Sequence, residues 1–416
     1  MKQENEFLRQ FFSDENLGSY AKSAIGIAID IPSKDIDTIL IPSRGAFPIF
    51  LGVLYALELV SNEEKPYRDF FEGIRIPAFV KECYPTYKPQ NENCVGNDVN
   101  VLVIPFTGDI NIRDDYKEKC IKQEDVVDNT RKFWSNVAYS FLKEKEERER
   151  DPYFQTYMFL LKQIEKREKL AEEYENFPKA KRIAMIDTVI SGRASSTILK
   201  EFDEISKKNN CEIPSHTFLI LDSCGKRLKH PYSQYLSLKE TLGLASFYQI
   251  PVILSEDKGA TLEGVISIVY PDLMCLSMDT KTSEQLKKYV PFFGAGSWYP
   301  IPSHETTKAY AETFNIFMSL VKEYVKKEAK KEYGIGIISD NKDIENFRKR
   351  LIENIIENNL LNHNKPFDIG LFGHETLYRP DSIYETSSHV IHAKYKPGIA
   401  RNILVKLTNY LSNTCI

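Results

Sequence analysis

No hydrophobic stretch in this 416-residue chain is long enough to cross a bilayer. The longest apolar run, AFPIFLGVLYAL at residues 46–57, falls well short of the roughly 20 residues that a membrane helix needs. The amino-terminal MKQENEFLRQFFSDE has neither the charge order nor the small-residue cleavage pattern of a secretion signal, so a cytoplasmic protein with no membrane partner is expected. A basic excess is missing as well. The 59 acidic residues outnumber the 55 basic ones and leave a net charge of −4, so no nucleic-acid partner is indicated beyond a local patch. The seven cysteines, at 83, 94, 120, 211, 224, 275 and 415, are odd in number and never at CxxC spacing. That suggests neither a disulfide framework nor a zinc knuckle, and free thiols in a reducing cytoplasm are the plain reading. Walker A, nucleophile-elbow and kinase sequences are also absent.

What remains is an ordinary globular composition, with 42% hydrophobic and 27% charged residues, which excludes a disordered chain, a collagen-like repeat and a coiled-coil rod. At ~150 residues per domain the length points to two or three domains. A helix is expected over 4–24, with Phe7, Leu8, Phe11 and Phe12 on one stripe and Ser13 or Asp14 breaking its polar face. A strand at 37–41, the tripeptide Ser43-Arg44-Gly45 and a helix over 47–60 form the opening half of a βαβ unit. Prolines mark a turn-rich segment over 63–99, and a strand follows at 101–105. Residues 125–178 are helical and heavily charged. In their KEKEERERD run (143–151), Glu144 precedes Arg148 and Glu146 precedes Arg150 at i,i+4 spacing. Those alternating signs read as a solvated helix face, because phosphate contact needs an excess of one sign.

Further strands are expected at 182–187, 217–221, 252–254 and 265–269, and helices at 195–205 and 232–247. Strands alternating with helices predict an α/β fold with a doubly wound parallel sheet. The tail carries helices over 305–332 and 342–360 and then a mixed segment to 416.

The densest chemistry lies in RIAMIDTVISGRASSTILKEF, residues 182–202. An apolar strand delivers one carboxylate, Asp187, toward the carboxyl edge of the sheet. Ser191, Gly192, Arg193, Ala194, Ser195 and Ser196 then turn directly into a helix. Such a turn offers backbone N–H groups and the positive end of a helix dipole, which suits a phosphate. An ionised carboxylate only accepts hydrogen bonds, which suits the hydroxyls of a sugar. Together they describe a ribose 5-phosphate pocket at the edge where open α/β sheets bind ligands.

These residues resemble the signature of the type I phosphoribosyltransferase family: four apolar residues, an acidic pair and a small hydroxyl-rich loop. Under that resemblance Ile183-Ala184-Met185-Ile186 is the strand, Asp187 an acid, and residues 191–195 the 5′-phosphate loop. The segment Ile41-Pro42-Ser43-Arg44-Gly45-Ala46-Phe47-Pro48 is similar to the family's pyrophosphate loop. The likeness covers roughly residues 25–270. It implies a phosphoribosyltransferase-like domain at 25–275 with a helical insertion at about 125–178; outside the likeness stand an N-terminal helix at 1–24 and a C-terminal α-rich or α+β appendage at 276–416.

The activity it implies is a glycosyltransferase-class transfer of ribose 5-phosphate from phosphoribosyl pyrophosphate, with Mg2+, to a nucleobase or nucleotide. Asp187 and Arg44 would be the catalytic residues, and Asp187 would meet the metal only through substrate-bound magnesium. Ser43, Gly45, Thr188, Ser191, Gly192, Arg193, Ala194, Ser195 and Ser196 would bind the phosphate and pyrophosphate groups.

Three departures qualify the likeness. The acidic pair is reduced to Asp187 between Ile186 and Thr188, and Asp187 fits either acidic position depending on where the count starts. Arg44 and Asp187 are 143 positions apart, a gap filled by the insertion where the family has a mobile catalytic loop. The tail has no counterpart in minimal members, and could serve a protein partner or a homo-oligomer. The rival reading is a degenerate fold that binds a nucleotide as a regulator or effector module. Elsewhere, His363, His374, His389 and His392 cluster near the end without the spacing of a zinc motif. Residues 293–298 contain GxG without the βαβ context of a dinucleotide site.

Overall fold

The computed structural model describes residues 2–42, 45–63, 74–75, 99–104, 123–163, 168–210, 212–254, 305–336 and 340–358. The strand expected at 265–269, the four C-terminal histidines and the GxG segment lie outside the described residues.

The first expected helix is two. Ser13 accepts the Asn16 amide at 3.3 Å, and the Asn16 side chain donates to the carbonyls of Gln10 and Phe11. Such N-capping separates α1 (Lys2–Phe11) from α2 (Asp14–Ser33), which runs on well past residue 24. Then come β1 (Thr38–Ile41), α3 (Ala46–Glu63), β2 (Ile74–Arg75) and β3 (Val99–Val103). Four helices follow, α4 (Gln123–Ser140), α5 (Lys145–Glu149), α6 (Pro152–Gln163) and α7 (Glu168–Glu175). The chain continues with β4 (Ile183–Val189), α8 (Arg193–Asn209), β5 (Ser215–Leu221), α9 (Tyr232–Thr241) and β6 (Ala245–Gln249). Helices α10 (Glu305–Tyr333) and α11 (Asn341–Glu357) close the described chain.

The six strands of the described residues form one parallel sheet in the order β2-β3-β1-β4-β5-β6, so the fold is α/β. The central pair, β1 and β4, is joined at its amino end by Asp37. Its carboxylate accepts the amides of Lys181 and Arg182 at 2.9–3.1 Å, and the Asp37 and Thr38 amides donate back to the Arg182 carbonyl. From β1 the chain moves one way along the sheet to β3, and from β4 the other way to β5. Right-handed crossovers therefore place α3 and α8 on opposite faces. The packing agrees: α3 lies on β1 and β4 together with α2 and α10, whereas α8 lies on β4 together with α4.

Two expectations change. Residues 245–249 are a strand, not the end of a helix. Gly243 (φ +70) closes α9 with the Leu244 amide donating to Lys239 and the Gly243 amide to Glu240, a Schellman ending. Residues 252–254 are buried but lie outside any strand.

The charged run at 143–151 is not one solvated face either. Glu144 stands at the N-cap position of α5 and pairs with Lys179 at 2.7 Å, while Arg148 is 0% exposed. The Arg148 guanidinium lies 5.5 Å from the rings of both Phe141 and Phe154 and donates to the Phe177 carbonyl at 2.6 Å. Edge-on contacts of Phe141 with Tyr174 and Phe177 extend the aromatic core of these four helices.

The C-terminal helices are packed into the first helical layer. Helix α10 lies against α2 and α3, and α11 lies against α10 and α1. Asp14 at the start of α2 receives both the Tyr324 hydroxyl and the Arg348 guanidinium. Their apolar residues belong to the same buried cluster as the sheet. No described helix is long and apolar enough to cross a membrane.

Candidate functional site

Strand β1 is followed by α3 and β4 by α8, and the two strands are direct neighbours in register Leu40↔Met185. The strand order reverses between them. Ligands of open α/β sheets bind at the carboxyl ends of the strands flanking such a reversal. Ser43 and Arg44 lie outside the described residues; Gly45 is buried at the entrance to α3.

The connection from β4 to α8 is only Ile190, Ser191 and Gly192. Gly192 has φ +82, a left-handed conformation, and a Cβ there would meet Leu236 Cδ1 at 3.1 Å and Leu228 Cδ2 at 3.2 Å. Glycine is the residue that this turn and this close approach require. The first bond of α8 runs from the Ser196 amide to the Gly192 carbonyl at 3.0 Å. The Ala194 and Ser195 amides thus lie in the turn that a helix leaves without intrahelical partners, at the positive end of its dipole. Ser191, Arg193 and Ala194 are half-buried, whereas Ser195 and Ser196 are buried. Ser196 Oγ makes no hydrogen bond among the described residues. Arg193 Nη2 stands 3.8 Å from Asp128 Oδ1 on α4.

Asp187 and Ser195 differ from expectation. The strand does not stop at residue 187 but continues to Val189, which leaves Asp187 in its interior and 3% exposed. Thr188 is buried beside it, at 7%. The Ser195 hydroxyl, expected on a phosphate, donates to Asp187 Oδ2 at 2.8 Å. Position 195 is in the first turn of α8, close enough to the strand for its short side chain to reach back. The pair ties β4 to the first turn of α8.

A second acid, outside the set expected from the sequence, stands on this edge. Asp222 follows β5 directly, beside the β4 connection, since Val189 is opposite Leu221 in the sheet. The signal for it in the sequence is an acid immediately after the apolar run 217–221. Asp222 is 1% exposed, accepts the Ile253 amide at 3.1 Å and pairs with Arg227 Nη1 at 2.5 Å. The Lys229 amide donates to the Ser191 carbonyl at 3.1 Å. Among the described residues no group of three or more His, Cys, Asp or Glu side chains is arranged to hold a metal ion.

The arrangement is thus an α/β protein with a helix start at the reversal point of a parallel sheet. No protein-family model matches the sequence, and no curated protein or solved structure matches it either.

Proposed function

We propose that this chain binds a phosphorylated ribose between β1 and β4 and acts as a phosphoribosyltransferase on phosphoribosyl pyrophosphate. One observation carries the reading: the two segments that resemble phosphate and pyrophosphate loops, 43–45 and 191–195, are far apart in sequence yet follow adjacent parallel strands. A single extended diphosphate ligand could therefore touch both. The 5′-phosphate would rest on the amides at the start of α8, and Arg44 would face the pyrophosphate. In the reaction the C1′–oxygen bond to pyrophosphate breaks and a bond from C1′ to the acceptor nitrogen forms, with loss of the acceptor's proton. Positioning and charge stabilisation supply the rate, without a protein nucleophile.

The residues present fit a magnesium ion brought by the substrate. Asp187 is buried with one oxygen engaged by Ser195, which suits an electrostatic role in the second layer more than direct ligation. Magnesium would supply charge neutralisation on the departing pyrophosphate.

A second reading, a nucleotide-binding regulator on the same fold, draws support from that burial of the single acid. The deciding experiment is pyrophosphate release from phosphoribosyl pyrophosphate and magnesium across a panel of nucleobases and nucleotides. Release that depends on Arg44 and Asp187 supports the enzyme. Tight binding without release under every acceptor supports the regulator.

A further inference from the structure

We propose that Asp222 is a positioning residue for the α8 anion turn, acting through Arg227 and the segment that joins β5 to α9. The inference rests on reading that turn as a phosphate site. Asp222 leaves the sheet beside the β4–α8 connection, and its two oxygens are used differently. Oδ1 accepts the Ile253 amide, and Oδ2 holds Arg227. Between them the chain is bent through Ser223 (φ +51), Cys224 (φ +51) and Gly225 (φ +78). Two consecutive left-handed residues that are not glycine persist only where their surroundings over-determine them. Here the Cys224 amide is held by the Ile250 carbonyl at 2.8 Å, and the Ile250 amide by the Leu221 carbonyl at 3.1 Å.

The bent segment then reaches the two residues that make the anion turn. The Lys229 amide takes the Ser191 carbonyl. Leu228, Tyr232 and Leu236 fill the space that a Cβ on Gly192 would need. The Ser191–Gly192 turn is thus clamped from one side by Ser195 and Asp187 and from the other by the β5–α9 segment. The Asp222–Arg227 pair closes that second clamp. An anion site made of backbone amides depends on their aim being fixed before the ligand arrives. Releasing the pair loosens the turn without removing any group that touches the phosphate.

The test is calorimetric titration of the full chain with ribose 5-phosphate and, separately, with phosphoribosyl pyrophosphate and magnesium. Asp222→Asn keeps an acceptor for Ile253 but drops the charge, and Arg227→Ala removes the partner from a half-exposed position. Each should weaken binding on the order of tenfold, and Arg227→Lys should recover most of the loss. Arg148→Met, inside the insertion, serves as a control for stability alone: it should lower the unfolding temperature and leave affinity unchanged. Wild-type affinity in Asp222→Asn and Arg227→Ala overturns the inference. So does an Arg227→Lys variant as weak as Arg227→Ala, or an equal loss in Arg148→Met. If the wild type binds neither ligand, the reading of the site fails first and the inference falls with it.

Discussion

The Ser195 hydroxyl and the Asp187 carboxylate meet at 2.8 Å in the interior of the protein, across the turn from β4 to α8. The bond holds the start of a helix to the strand that precedes it. Removing the donor by Ser195→Ala withdraws it from a carboxylate in a 3% exposed position, which should destabilise the protein by about 1–3 kcal/mol. Urea denaturation would measure the loss, and an unchanged midpoint would contradict the packing described here.

Asp187→Asn addresses the chemistry. The substitution keeps the shape and an acceptor oxygen for Ser195 but removes the negative charge. A hydrogen bond to a charged group contributes roughly 1.5–3 kcal/mol. If the chain turns over phosphoribosyl pyrophosphate, pyrophosphate release should fall by about tenfold to a hundredfold. Steady-state assays at saturating substrate would read it, and full retained turnover would remove Asp187 from the mechanism.

Gly192→Ala should be costly on two grounds. The backbone is left-handed at φ +82, and the new methyl would press on Leu236 and Leu228. Left-handed backbone alone costs about 1–2 kcal/mol for a residue with a Cβ. The same change should weaken binding of ribose 5-phosphate, because the turn that aims the α8 amides must shift. A variant with wild-type stability and affinity would show that the turn is not constrained as drawn.

His216 predicts how stability varies with pH. It is 2% exposed at the amino end of β5, with Nε2 bonded to Ser246 Oγ at 2.9 Å. Burial, with Lys34 and Arg182 nearby, holds its pKa down to about 4, against a weaker opposing pull from Asp30. The unfolded chain takes up this proton near pH 6.5 and the folded protein only near pH 4. Stability from this residue is therefore full above pH 6.5 and declines as pH falls toward 4, by on the order of 3 kcal/mol. Unfolding free energies from pH 4 to 7.5 for the wild type and His216→Gln would test this. The slope in that window should flatten in the variant.

Arg148→Ala should lower stability by about 2–4 kcal/mol, because it empties a site between two aromatic rings and strips the donor from the Phe177 carbonyl. Arg148→Met retains the apolar stem and should cost less. Thermal unfolding of both variants orders the two contributions; equal midpoints for alanine and methionine would mean that the stem packs nothing.

The amino-acid pattern by itself determined the local elements. Apolar runs bounded by turn residues marked β1, β4 and β5, and periodic stretches marked α3, α8, α10 and α11, because these depend on neighbours within a few residues. The glycine at 192 and the small residues after it located the turn for the same reason. Gly243 carried a legible stop signal for α9, but the apolar residues beyond it fitted a helix or a strand equally well until β5 was there to pair with β6. What only the tertiary structure decided depends on partners far along the chain. Asp37 reaches Lys181 and Arg182 across 144–145 positions and so brings β1 beside β4. Arg148 has the sequence of a solvated residue, yet the rings of Phe141 and Phe154 flank it and the Phe177 carbonyl from a third segment accepts from it. The burial of Asp187, the engagement of Ser195 and the bracing of Ser191 by Lys229 follow from how strand, helix and neighbouring connection close on one another. Spacing along one strand cannot convey that, because its alternation fixes a face and not what covers it.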